Sequence, residues 1–253
     1  MTQWTNVAAA LCLAVLGQGL LGQGAGQAAE ITVVGGMGVI SGIRDLAAGF
    51  ELVTGNKDNA VFAPNVMAMV ASGAPADIVA LNPPVIDDLI KSGKIVGPRV
   101  DFARAGIGVA IKKGAPKLDL STVDAFKRAM LEAKSIGYST AGSGLMVAKI
   151  MQDLGLTEPL KARTKFLDGF PAAEAVARGE VEIALQQINV ILPVAGAELG
   201  GVLPPELQQY NAFAAGVLAG SKEKEVAAAM VKFMGAPENV VLVRKSGMEP
   251  PAK

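Results

Sequence analysis

Residues 31–55 read ITVVGGMGVISGIRDLAAGFELVTG. Ile31 to Val34 is an unbroken apolar run that stops at Gly35-Gly36, as a buried strand stops at a turn. From Ser41 to Leu52 the spacing becomes helical, with Ile43, Leu46, Ala47 and Phe50 on one face. A strand, a small-residue turn and an amphipathic helix are the opening half of a βαβ unit.

The same alternation continues outward. Strands predicted at Ala60–Phe62 and Asp77–Leu81 are interleaved with helices from about Asn65 to Ser72 and from Val85 to Ser92, stopped by Gly73 and Gly93. A strongly apolar strand, Gly106–Ile111, follows Arg104. A second set then begins: helix Thr122–Glu132 with Ser121 or Thr122 as cap, strand Ser135–Tyr138, helix Gly144–Leu154, strand Thr164–Leu167, helix Ala172–Arg178 and strand Val181–Gln186. The Pro/Gly-rich stretch Pro193–Pro205 carries no predicted element. Strand Ala212–Leu218, helix Glu223–Met234 and helix Pro237–Lys245 close the chain, with Val226, Met230, Val231 and Met234 on one side of the first of these helices.

This order predicts an α/β protein with two doubly wound parallel-sheet lobes joined by a two-strand hinge. Lobe 1 is expected to take residues 30–104 and 212–253, and lobe 2 residues 105–211, with crossings near Ala103–Gly108 and Gln209–Gly216. Ligands of open α/β sheets bind beyond the carboxyl ends of the strands, and both lobes would aim those ends at one cleft.

Composition narrows the function. The chain has 253 residues, 51% of them hydrophobic and 18% charged, which suits a folded core rather than disorder. Lys+Arg and Asp+Glu balance at 23 each, so no basic excess draws it to nucleic acid or anionic lipid. There is no histidine, which excludes Ser-His-Asp and Cys-His catalysis and imidazole metal ligation. The one cysteine, Cys12, lies in a leader-like segment. Residues 1–29 carry no Asp, Glu, Lys or Arg, hold an apolar run from Val7 to Leu16, and end in Ala28-Ala29 before Glu30, the first charge. They read as a secretory signal peptide cleaved after Ala28 or Ala29, although no Lys or Arg marks its start. The apolar run is well short of a membrane span. A mature chain without cysteine suits an oxidising compartment, and the expected location is the periplasm.

Five phrases carry a family resemblance: the opening stretch above, VMAMVASGAPADIVALNPPVIDDLIKSGKI (66–95), ARAGIGVAIKKGAPKLDLSTVDAFKRAMLEAKSIGYS (103–139), RGEVEIALQQINVILPVAGAELGGVLPPELQQY (178–210) and MVKFMGAPENVVLVRKSGMEP (230–250). In this order they resemble the periplasmic molybdate-binding-like proteins, a branch of the type II periplasmic solute-binding fold and substrate-binding proteins of ABC transporters. The resemblance implies a small anionic solute, an ABC permease as partner, no cofactor and no metal. No nucleic-acid partner is expected, and the chain is expected to be a monomer. Molybdate binders of this family generally offer serines from the first two strand-to-helix turns. Here those turns are Gly35-Gly36-Met37-Gly38 and Pro64-Asn65-Val66, and Gln186-Gln187 stands where a tyrosine is expected. These departures favour a small organic acid over molybdate, tungstate or sulfate. The superfamily also contains aconitate isomerase, so a cofactor-free isomerase of a small polycarboxylate is the alternative, with Ser139, Ser143 or Tyr210 as proton carrier.

Four turns are the candidate ligand site. Met37 and Gly38 follow the first strand, where glycine lets backbone approach a ligand and the helix start offers free N–H groups. Asn65 begins the second helix, as cap or as ligand amide. Ser139, Thr140 and Ser143 lie in an all-small, hydroxyl-rich loop before a helix, an anion nest. Gln186 and Gln187 end an apolar strand, where an unpaired amide is costly, so they either bind ligand or brace the hinge. Arg104 is the nearest candidate cation and equally suits a structural ion pair.

Overall fold

A computed structural model describes residues 28–63 and 65–252. The predicted leader, with Trp4 and Cys12, lies outside the described residues except for Ala28 and Ala29. The elements are β1 (Glu30–Gly35), α1 (Met37–Thr54), β2 (Lys57–Phe62), α2 (Val66–Ser72), β3 (Ile78–Leu81), α3 (Pro83–Lys91), β4 (Ile95–Lys112), α4 (Val123–Glu132), β5 (Ile136–Tyr138), α5 (Ser143–Asp153), α6 (Thr157–Leu160), β6 (Thr164–Phe166), α7 (Ala172–Ala177), β7 (Ile183–Gln187), α8 (Ile188–Ile191), β8 (Ala197–Val202), β9 (Tyr210–Leu218), α9 (Lys224–Met234) and α10 (Val240–Lys245).

The strands lie in the order β2-β1-β3-β9-β4-β7-β5-β6, with β8 also on β4. Pairing is parallel for β2-β1-β3 and for β7-β5-β6, as the βαβ alternation predicts. It is antiparallel wherever β4 or β9 takes part. The result is two lobes, each a small parallel sheet, joined through two long antiparallel strands.

β4 makes that junction. It runs beside β9 from Ile95 to Gly106 and then beside β7 and β8 from Ile107 onward. At the change of neighbours a side chain stands in for a strand: the Gln208 carboxamide accepts from the Ile107 N–H at 2.7 Å and donates to the Ile107 carbonyl at 3.0 Å. Beside it Arg104 exchanges both backbone hydrogen bonds with Glu249 and ion-pairs with its carboxylate at 2.7 Å. The Arg104 guanidinium lies 4.2 Å from the Tyr210 ring centroid, and the Tyr210 hydroxyl donates to Glu249.

Each lobe has its own apolar layers. The buried face of α1, with Ile43, Leu46 and Phe50, packs on Met230 and Met234 of α9 and on β1. Val66 and Val70 of α2 and Ile86 of α3 cover the opposite face of that sheet. In the second lobe Phe126, Met130 and Ile150 line one face of the sheet, and the small residues of α7 the other. Each fully buried Phe, Ile or Leu contributes about 1.5–3 kcal/mol of apolar transfer energy. Among the described residues no single helix is long and apolar enough to cross a membrane.

The elements depart from the sequence reading at several points, among them β4, β8 and α1. β4 begins at Ile95 rather than Gly106, because Gly97 and Pro98 fall where its register with β9 shifts between Val96 and Val100, and so they do not end the strand. β8 occupies part of the Pro/Gly-rich stretch. Its Gly200 and Gly201 read as breakers, yet a Cβ would lie 2.5 Å from Ile111 Cγ2 or 2.8 Å from Leu120 Cδ1, so close packing requires both. α1 starts at Met37, four residues before the apolar spacing becomes visible.

Candidate functional site

The turns after β1, β2, β3, β5, β6 and β7 converge on a cavity of about 650 Å³ between the lobes, which lies within the usual size range of small-molecule sites. These are all carboxyl ends of parallel strands, where the fold should place a ligand. Met37, Gly38, Ser139, Thr140, Ser143, Gln186 and Gln187 all line it. Asn65 does not: its side-chain oxygen accepts from the Ala68 N–H at 3.2 Å and caps α2. A second cavity, of about 770 Å³, lies at the opposite end of the lobe 2 strands, next to Ser135 and Glu182.

Two helix starts contribute to the electrostatics of the cavity. α1 and α5 both open onto the cavity, from different lobes. Neither has a side-chain cap or an acidic residue in its first turn. Among the described helices only α2 and α4 have a side-chain cap, Asn65 and Thr122, so it is the opening of α1 and α5 onto one cavity, rather than the missing cap, that sets these two apart. The N–H groups of Met37 and Gly38, and of Ala141, Gly142 and Ser143, make no hydrogen bond among the described residues. Uncapped helix N-termini leave such donors free and carry partial positive charge, the conditions for holding an anion.

Local sequence builds the second of these starts. Gly142 sits at φ 56°, a conformation that favours glycine. At Gly144 a Cβ would fall 1.8 Å from the Ser139 carbonyl oxygen, so no side chain fits there. Hydroxyls of the loop are already directed. Ser139 Oγ donates to the Ala141 carbonyl at 2.8 Å, and Thr140 Oγ1 donates to Asp168 Oδ2 at 2.8 Å. The Thr140 N–H donates to Asp168 Oδ1 at 2.7 Å. A hydroxyl has one proton to give, so the Ser139 and Thr140 hydroxyls can only accept further hydrogen bonds, and in this loop only Ser143 keeps an undirected hydroxyl.

The two glutamines present the opposite polarity. Gln186 Oε1 accepts from the Ala173 N–H at 3.3 Å, which leaves its NH₂ as the free end. Gln187 is 3% exposed and its Nε2 is buried with no hydrogen-bond partner. An unmade hydrogen bond of this kind costs about 1–3 kcal/mol, unless a ligand completes it. Its Oε1 lies against lobe 1, 2.4 Å from where a Cβ on Gly38 would be. Two residues further on, Asn189 links the lobes, donating to the Gly38 carbonyl and to Ser41 Oγ, each at 2.9 Å.

Among the described residues no Lys or Arg lines the cavity, and Asp168 is the one charged side chain that does. Arg104 is held by Glu249, Lys149 by Asp153, and Arg178 by Glu174 and Glu180, so each takes a structural or surface ion-pair role. Asp168 and Asn82 are lining residues that sequence reasoning missed. Both directly follow the carboxyl ends of predicted strands, and the strand-end rule applied to every strand would have found them. Asp168 was hidden by Gly169, because Asp-Gly reads as a plain turn. Among the described residues no group of three or more His, Cys, Asp or Glu gathers to hold a metal.

Residues 31–249 match a family described as bacterial extracellular solute-binding protein. The chain belongs to that family. This solute-binding protein is 28% identical over 229 residues to aconitate isomerase of a Pseudomonas species, covering 87% of each chain. It is also 28% identical over 242 residues to the molybdate-binding protein ModA of Azotobacter vinelandii, covering 92% of this chain and 94% of that one. The solved periplasmic molybdate-binding protein of A. vinelandii superposes with a TM-score of 0.72 at 20% identity, over 88% of this chain and 100% of that one. The fold is thus that of the molybdate-binding-like solute-binding proteins, as the sequence resemblance implies.

Proposed function

We propose that this protein is exported to the periplasm, captures a small organic acid in the cleft between its lobes, and delivers it to an ABC permease. The observation that carries the reading is the convergence of two uncapped helix starts, from α1 and α5, on one cavity. Residues 1–29 are removed as a signal peptide. Residues 30–104 with 212–253 form lobe 1, and residues 105–211 form lobe 2. The lobes flex at the β4 crossing, so that Met37 and Gly38 close on Ser139, Thr140, Ser143, Gln186 and Gln187. Binding is by the monomer and needs no cofactor. Neutral donors suffice for an anion, because fixed dipoles in a partly dry site stabilise charge without a counter-ion.

A small acid is favoured over molybdate for two reasons. The serines expected of molybdate binders in the first two turns are absent, and the amide of the second turn is committed as a helix cap. The test is a thermal-shift screen of oxyanions and of mono-, di- and tricarboxylates. A ligand at 100 times its Kd adds about 2.7 kcal/mol, a rise of roughly 5–10 °C for a chain of this size. The expected result is a rise with a carboxylate and none with molybdate. Micromolar molybdate binding by calorimetry overturns the assignment.

Likeness to aconitate isomerase supports a second reading, conversion of a small unsaturated polycarboxylate. Of the three proton carriers considered, Ser143 is then the one at hand, since Ser139 donates to the Ala141 carbonyl and Tyr210 is engaged with Glu249 away from the cavity. The missing lining cation weighs against it, because a tricarboxylate would bring several like charges to an aspartate. Incubation with cis-aconitate followed by proton NMR decides: appearance of the trans isomer establishes the enzyme.

A further inference from the structure

We infer that the solute carries a hydrogen-bond donor, a hydroxyl or an ammonium, beside its acidic group, and that Asp168 reads it. The inference rests on the solute-binding reading and specifies the class of solute. Two sets of atoms in the cavity have opposite polarity. At the end of β7 the Gln187 Nε2 is buried and unpartnered, and the Gln186 NH₂ is the free end of its amide. These are donors, and they call for an acceptor such as a carboxylate oxygen. After β6, on the same lobe, Asp168 presents a carboxylate whose two oxygens each accept one bond from Thr140. A carboxylate has about four acceptor sites, so each oxygen retains one. Ser139 and Thr140 have directed their protons to Ala141 and Asp168, and therefore also offer lone pairs. Thr140 and Asp168 are exposed, so water serves these acceptors in the open cleft, and a solute that displaces the water must bring a donor to replace its bonds.

The argument excludes as well as selects. A fully deprotonated tetrahedral dianion or a plain dicarboxylate has no donor to give, and would set an oxygen against Asp168. A small hydroxy acid or amino acid satisfies both sets at once. A site built to bond a substrate hydroxyl or amine rejects the analogue lacking it strongly, because its own polar groups are left unpaired.

Calorimetry on the full mature chain with matched acids tests this: propionate, lactate and alanine, then succinate, malate and aspartate. Each triplet differs at one position by a hydrogen, a hydroxyl or an ammonium. In one triplet or both, the donor-bearing acid is expected to bind at least roughly ten-fold tighter than its plain counterpart. Whether lactate and malate or alanine and aspartate lead tells hydroxyl from ammonium. Asp168→Asn keeps an acceptor for the Thr140 N–H and should reduce the preference to within about three-fold, weakening the donor-bearing acids while the plain acids, relieved of a like charge, bind equally or more tightly. An unaltered melting temperature of the unliganded variant is the control for an intact loop. Equal binding of plain and donor-bearing acids overturns the inference, as does a preference that survives in Asp168→Asn, or an equal loss for every acid in that variant. In these cases the solute-binding reading stands if Gln187→Leu weakens the acids that bind. If no acid binds, both fail together.

Discussion

The two walls of the cleft are built from different materials. Lobe 1 contributes mostly backbone and apolar surface: the start of α1 at Gly36–Gly38, Phe62, Ala63 and Leu81, with Asn82 as its one polar side chain among the described lining residues. Lobe 2 contributes side-chain chemistry: Ser143, Asp168, Gln186 and Gln187. In the proposed function, lobe 1 would supply shape, a helix dipole and closure, and lobe 2 would discriminate. A solute would dock first on the wall that can recognise it, and the blander wall then seals it from water.

The strongest challenge to this division is a charge placed on the discriminating wall. Ser143→Asp would put a carboxylate at the first residue of α5, where it satisfies the free N–H groups and repels an anion. Affinity for the acid should fall by about 100-fold or more, since like charges brought together cost several kcal/mol. Calorimetry checks this, and the unliganded variant should melt no lower than the parent. Affinity within a few-fold of the parent would place the anion elsewhere.

A smaller effect separates the walls directly. Gln187→Leu removes the buried Nε2 and should weaken binding by roughly 10- to 100-fold, while the unliganded protein becomes no less stable because an unpaired group has gone. Met37→Ala, on the other wall, should change affinity by less than about three-fold, since it loses packing but no polar contact. If the two variants lose affinity equally, the assignment of recognition to lobe 2 is wrong.

The smallest expected effect concerns the end of lobe 1 away from the cleft. Burial, then the charges of Glu51 and Asp77, push the Asp58 carboxyl from its ordinary 3.8 up to about 7. Both of its oxygens are buried without a hydrogen-bond partner. Between these two pH values the folded chain holds a proton that the unfolded chain has released. Stability therefore falls as pH rises through the window and is level above it. Asp58→Asn should remove this slope and, at pH 8, gain about 1–2 kcal/mol after allowance for the group's partial exposure. Denaturant melts of both proteins across pH 4 to 8 measure the difference (pH values chosen about the window).

The contrast between the walls also explains what was legible in the sequence. The fold could be read because each βα unit repeats an apolar run, a small-residue turn and a helical stripe, as in Ile31–Phe50. Hydroxyls and amides at strand ends pointed to the lobe 2 turns for the same reason. Less legible was anything set by the neighbour across a gap. Gly200 and Gly201 reflect Ile111 and Leu120, which are distant in sequence. Asn65 offered one amide with two uses, and only the position of the Ala68 N–H chose between them. The protons of Ser139 and Thr140 could not be assigned without knowing where Ala141 and Asp168 lie.

The Gln208 carboxamide at the β4 crossing has a mechanical consequence. Where β4 leaves β9 for β7, the shortest bonds on Ile107 are made by a side chain, with the Leu203 N–H a longer backbone donor to its carbonyl at 3.4 Å. A peptide ladder resists bending because every rung is fixed in its rail, but a side-chain rung can swivel through its own torsions while staying bonded. The crossing is thus a compliant joint in an otherwise stiff ribbon. Its stiffness can be tuned by exchanging one residue, which would alter how fast the cleft opens and shuts while leaving untouched every group that recognises what is inside.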